Sequence, residues 1–89
     1  MHIYRIYDGG DYWDYSSPDA QDAIDEHLQI NYEDADLPRD DWPKDLKADQ
    51  LPDDKVIAIR DAGPNGETVT MKASEWAAAE QGLIGTTCV

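Results

Sequence analysis

Two histidines, His2 and His27, and one thiol, Cys88, are the side chains of this 89-residue chain best suited to base or nucleophile work. None of them stands in a recognised triad, and no Cys-x-x-Cys or Cys/His ligand spacing occurs. "DGG" at 8–10 and "GPNG" at 63–66 read as turns, not as a phosphate cradle. The chain is therefore expected to be no enzyme and to carry no cofactor. His27 falls on the apolar side of a helical pattern and is expected to pack in the core; Cys88 reads as an incidental tail thiol. A single cysteine cannot form an intramolecular disulfide, which fits a reducing, cytosolic setting.

Carboxylates offer the other chemistry. Asp34, Asp36, Asp40 and Asp41 are dense enough to raise calcium, which takes six to eight oxygens. The EF-hand order of ligands is absent, however, and Pro38 interrupts the run, so no metal site is expected. A row on a helix is a different matter. Asp19, Asp22, Asp25 and Glu26 recur at three- and four-residue steps, which places neighbours about 5–6 Å apart, close to the spacing of phosphates along one nucleic-acid strand. Asp11, Asp14, Glu33, Asp34, Asp36, Asp40 and Asp41 extend that row into a candidate partner-binding surface. The plainer alternative is a solvated helix face.

The distribution of charge bears on that choice. Residues 8–54 hold sixteen of the twenty acids and three of the seven Lys and Arg, so the whole formal charge of −13 lies in this half and the rest is balanced. Adaptation to high salt, the common reason for a pI near 4.1, spreads acids over most of a surface. A one-sided field repels nucleic acid and attracts basic surfaces.

The elements that must position these acids follow from periodicity and turn chemistry. "HIYRIYD" and "DYWDYS" alternate as strands about the glycine turn. "SSPDAQDAIDEHLQI" predicts a helix with Ser17 as its cap, Pro18 in its first turn, and Ala20, Ala23, Ile24, His27 and Leu28 on its packed face. Residues 31–54 form an acidic connector whose three prolines forbid a long helix. Its Tyr32, Leu37, Trp42, Leu46 and Leu51 are expected to pin it to the domain, with one helical turn near 43–48. "KVIAIRD" and "TVTM" predict a second hairpin, "KASEWAAAEQG" a short helix ending at Gly82, and "LIGTTCV" a last strand. Trp13 and Trp76 are expected inside and Trp42 partly exposed. The order β-β-α-loop-β-β-α-β predicts one α+β domain over 1–89, an antiparallel sheet of four to five strands with one or two helices on one face. The opening residues lack a basic, then apolar, leader pattern, and no stretch is long enough to span a membrane.

Residues 50–87 resemble small proteins encoded by bacteriophages and prophages. In those, an acidic half precedes a strand pair, a Thr-rich step, an Ala-Glu-Trp-Ala-like helix and a glycine before a last strand. The matching positions are Asp53, Asp54, the strand at 56–61, Thr68, Thr70, Glu75, Trp76, Ala77 and Gly82. In size and charge the chain is also similar to acidic phage inhibitors of host defence, the anti-CRISPR proteins and restriction inhibitors that imitate DNA. The resemblance implies a monomer acting in the cytoplasm of a bacterial host. Its partner would be the basic DNA-binding surface of a host complex, such as a CRISPR surveillance complex, with no direct contact to nucleic acid and none to membrane. The alternative is a phage accessory or structural protein that self-associates or binds a phage partner.

Overall fold

A computed structural model of the chain describes residues 1–87. The first two strands, β1 (His2–Asp8) and β2 (Asp11–Ser17), pair antiparallel from His2 opposite Ser17 to Asp8 opposite Asp11. Between them Gly9 and Gly10 have φ of 63° and 90°. Two successive left-handed residues give the turn whose twist suits a tight hairpin, and glycine enters it without a Cβ clash. A short strand, β3 (Ala48–Gln50), adds to the free edge of β1. The pair β4 (Val56–Ile59) and β5 (Val69–Lys72) forms a separate two-stranded ribbon. Finally β6 (Gly82–Thr86) adds to β2, completing an antiparallel sheet in the order β3-β1-β2-β6.

Because side chains alternate across a strand, the central hairpin carries a different set of residues on each face. Tyr4, Ile6, Trp13 and Tyr15 share one face and pack with Ala23 of α1 (Ala20–Leu28). On the other face Ile3 and Ile84 pack with Leu51, Ile57 and the Ala73, Trp76 and Ala77 side chains of α2 (Ala73–Ala79). The α+β class expected from the pattern is what forms, but the helices take one face each and do not share one. The reason lies in β2, buried without interruption from Trp13 to Ser17. A strand of that kind needs cover on both sides. The second cover is tied down by polar contacts: the Ser16 hydroxyl donates to the Ala77 carbonyl at 3.4 Å, and the Trp76 indole N–H to the Ile57 carbonyl at 3.0 Å.

Several boundaries differ from expectation. Asp19, not Ser17, caps α1, its carboxylate accepting from the Asp22 N–H at 2.9 Å; Ser17 is already committed to β2 opposite His2. Gly82 does not end α2 but opens β6, with φ of 87°. The acidic connector is more ordered than its prolines imply. The α1 helix runs on into a π-turn, Gln29–Glu33, closed by the Asp34 N–H donating to the Gln29 carbonyl at 2.9 Å. The helical turn expected near 43–48 lies instead at Arg39–Asp41, because Trp42, preceding Pro43, is held extended at φ −74° and ψ 141°. Leu51 is buried, Leu46 packs on the α1 side, Tyr32 and Trp42 are half-buried, and Leu37 is exposed. Trp13 and Trp76 lie inside. The last expected strand is present as β6; Cys88 lies outside the described residues. No helix among the described residues is long and apolar enough to cross a membrane.

Candidate functional site

Of the eleven acids expected to meet a partner, eight are exposed along one continuous segment: Asp19, Asp22 and Asp25 at α1, then Glu33, Asp34, Asp36, Asp40 and Asp41 on the π-turn and the loop after it. Asp11 and Glu26 are half-buried. Asp11 accepts from the Thr87 hydroxyl at 3.1 Å, and Glu26 lies against Gly82, its Oε1 2.8 Å from where a Cβ would stand.

Asp14 corrects the expectation. It is 1% exposed and accepts two hydrogen bonds from Arg5, at 2.8 and 2.9 Å. Strand alternation turns it to the face opposite Asp11, so it belongs to the interior and not to the acidic surface. Those hydrogen bonds hold the Arg5 guanidinium above its already high range, against the opposing effect of burial. The same guanidinium lies 3.8 Å from the Tyr12 ring centroid. Among the described residues this is the one Lys or Arg ion pair, so the exposed acids of 19–41 carry no basic partner.

The acid-bearing segment is fastened to the sheet by a polar network that the sequence alone did not reveal. Asp8, at the end of β1, accepts from the Tyr32 hydroxyl at 2.6 Å and from His27 Nε2 at 2.9 Å. With a carboxylate at Nε2, that nitrogen carries the proton and leaves Nδ1 to accept from the Tyr15 hydroxyl at 2.7 Å. Asn31 reaches the same Nδ1 at 3.2 Å and donates to the His27 carbonyl at 3.1 Å. The π-turn explains how both His27 and Tyr32 can meet Asp8. At 3.6 residues per turn, positions five apart point about 140° away from each other, and a wider turn brings the second one round. Burial raises the Asp8 pKa, but the hydrogen bonds from Tyr32 and His27 outweigh it and hold the group below its usual value. Tyr32 is pushed up to about 12, by burial and then by the Asp8 hydrogen bond and charge. Tyr15 is pushed well above the usual phenol range, first by burial and then by the charge of Glu26.

A second connection runs outward through aromatic rings. Trp13 meets His27 at 4.7 Å between centroids, His27 meets Tyr32 at 6.3 Å, and Tyr32 meets Trp42 at 6.5 Å. The Arg39 guanidinium lies 5.0 Å from the Trp42 ring centroid, and the Trp42 indole N–H donates to the Leu37 carbonyl at 3.0 Å. The loop between closes on itself: the Asp36 N–H donates to Glu33 O and the Leu37 N–H to Tyr32 O, both at 3.0 Å, while Asp36 takes a left-handed φ of 57°.

What this arrangement can do chemically follows from access. His27, flanked by a hydroxyl and a carboxylate, has the partners of a proton relay, but it and Tyr15 are both 0% exposed, so no substrate atom reaches either. His27 is packed in the interior, as the helical pattern led one to expect. Among the described residues no three His, Cys, Asp or Glu converge on a point that could hold a metal ion. What the surface of residues 19–41 presents is exposed carboxylates without a Lys or Arg ion-pair partner, on a segment bonded to the sheet. Asp8, Tyr15 and Asn31 were missed as members of that polar network, and only Asn31, four residues after His27, lay close enough in sequence to be legible; Tyr32 was expected to pin the connector, and does so through its hydroxyl on Asp8 as well as its ring.

Comparison with protein-family models, curated proteins and solved structures returns no match for this chain.

Proposed function

We propose that the chain is a non-enzymatic inhibitor of phage origin that imitates DNA and blocks the basic DNA-binding surface of a host defence complex, an RNA-guided CRISPR surveillance complex being the target class. One observation carries the reading: the exposed acids of 19–41 have no basic partner, yet sit on a segment fastened to the sheet through Asp8, His27 and Tyr32. Like charges left together weaken a fold. A surface that keeps them is supported best by a basic partner that neutralises them on binding. Inhibition is then steric and electrostatic competition with target DNA.

The test is capture of the tagged protein's partners from nuclease-treated bacterial lysate, at low salt and again at about 1 M, where the screening length falls to about 3 Å. Recovery of a DNA-processing complex that duplex DNA displaces supports the reading. Replacing Asp22, Asp25 and Asp34 together by Lys should abolish that recovery while leaving the thermal transition in place; a triple variant that still captures the complex would remove this surface from the mechanism. The exposure of Tyr7 and Val56, at 59% and 61%, favours a second reading, a phage accessory protein that self-associates. Native mass spectrometry distinguishes the two, because that contact would persist in high salt.

A further inference from the structure

The loop from Tyr32 to Trp42 spends its hydrogen bonds on an outcome that charge alone does not require. The Leu37 N–H and carbonyl are both engaged, by the Tyr32 carbonyl and the Trp42 indole, each at 3.0 Å. Its side chain is nevertheless left 43% exposed. Beside it the Trp42 ring is held by Arg39 and by Tyr32, and Tyr32 is itself bonded to Asp8. An exposed leucine is unremarkable by itself. This one stands on a preordered platform of Tyr, Trp and Arg, the residue types enriched where binding energy concentrates. Around it in sequence lie Glu33, Asp34, Asp36, Asp40 and Asp41, all exposed.

We propose that Leu37, supported by Trp42 and Arg39, is an apolar anchor at the centre of the acidic surface, and that the partner is a protein whose basic rim surrounds an apolar recess. The proposal rests on the reading of the acidic half as a recognition surface and names what kind of surface it meets. Charge complementarity selects the partner: five carboxylates flanking the loop favour a Lys- or Arg-rich rim and exclude direct binding to DNA or to an anionic membrane. Preordering matters because a loop whose backbone is already bonded on both sides of Leu37 loses little entropy when it docks. The carboxylates would then govern the rate of encounter, and Leu37 the lifetime of the complex.

Leu37→Asp separates this from imitation by charge alone. The substitution adds a carboxylate to an exposed site, so a purely electrostatic mimic binds as well or better, whereas an anchored one loses a buried leucine. The assay is displacement of labelled target duplex from a purified RNA-guided surveillance complex, with far-ultraviolet dichroism and thermal melting confirming the fold of each variant. The expected result is competition by the wild type, a loss of about tenfold or more for Leu37→Asp, and retention for Leu37→Met. Equal or tighter competition by Leu37→Asp would overturn the anchor and leave charge imitation standing. A wild type that fails to displace DNA at all would overturn both, since the partner they share would be gone.

Discussion

Removing the charge of Asp14 separates the interior acids from the surface acids. In Asp14→Asn the shape is kept, but the amide can place an N–H donor against the guanidinium that donated to both carboxylate oxygens at 2.8 and 2.9 Å. Breaking one partner of a buried pair costs about 3–5 kcal/mol, because the remaining charge stays desolvated. The Arg5 side chain is 15% exposed and can turn partly toward water, so the lower end, about 3 kcal/mol, is the appropriate figure. For a chain of this size that is a fall in Tm of about 12–24 °C, at ~4–8 °C per kcal/mol. It is also a large share of a total of about 4–13 kcal/mol. Asp25→Asn, on the exposed side of α1, should stay within about 0.5 kcal/mol of wild type. Urea unfolding followed by the fluorescence of the buried Trp13 and Trp76 measures both. The pair Arg5→Met with Asp14→Leu should recover most of the loss, since two apolar groups leave no orphaned charge. An Asp14→Asn variant as stable as Asp25→Asn would refute the assignment of Asp14 to the interior.

The remaining predictions concern the frame and the field. Tyr32→Phe removes the 2.6 Å hydrogen bond to Asp8 and should cost about 1.5–3 kcal/mol by urea unfolding, the range for a bond to a charged group. Asp8 has its folded pKa depressed, so its contribution is present above the unfolded value near ~4 and is lost as pH falls through the lower folded value; melts of Asp8→Asn should lack that part of the acid dependence. Tyr32 titrates the other way: its contribution is complete below ~10 and disappears as pH rises toward its folded value of about 12, so Tyr32→Phe should flatten the alkaline limb of Tm against pH. Raising ionic strength from about 0.01 M to 0.15 M shortens the screening length from about 30 to 8 Å and should raise Tm, by relieving repulsion among the unpaired acids. A Tm that falls with added salt would mean that attractive pairs outweigh repulsive ones.

Much of the fold was legible because local signals agreed. The glycine turn with its flanking alternation and the Ala-rich second helix occupy the expected stretch of chain, and so does the first helix, although it starts at Ala20 behind the Asp19 cap and leaves Pro18 outside its first turn. What could not be read were decisions made across the chain. Whether two helices share one sheet face depends on β2 being buried on both sides, and "DYWDYS" carries enough polar residues to read as half-exposed. Asp14 looks from its spacing like the next acid after Asp11, and only its register opposite Arg5 explains why it is inside. The three residues of β3 have no strand signature of their own; "ADQ" pairs because the edge of β1 is there to receive it, with Ile6 opposite Ala48 and Tyr4 opposite Gln50. The exposed acids were found by counting charge, which needs no geometry. Asp8 was counted with them, although its carboxylate in fact receives Tyr32 and His27.

The network and the acidic segment solve one problem between them. A helix that carries Asp22, Asp25 and Glu26 and runs on to Glu33 and Asp34 gathers negative charge toward its C-terminal end, where the helix dipole is already negative and adds to the cost. Such an end should fray unless something outside the helix holds it. Asp8, His27, Asn31 and Tyr32 meet at that end, with bonds of 2.6, 2.9 and 3.1 Å. They supply the attachment that helix propensity does not. From the same point Tyr32 extends to Trp42 and so to the loop that displays Leu37. Loosening Tyr32 should therefore disturb the acids of the π-turn and the exposed leucine together, while leaving Asp22, near the Asp19 cap, in place. Amide exchange in Tyr32→Phe tests the coupling: faster exchange at Asp34 and Leu37 with unchanged exchange at Ala23 is expected, and uniform acceleration would mean that the hydroxyl supports the whole fold and not this end of it.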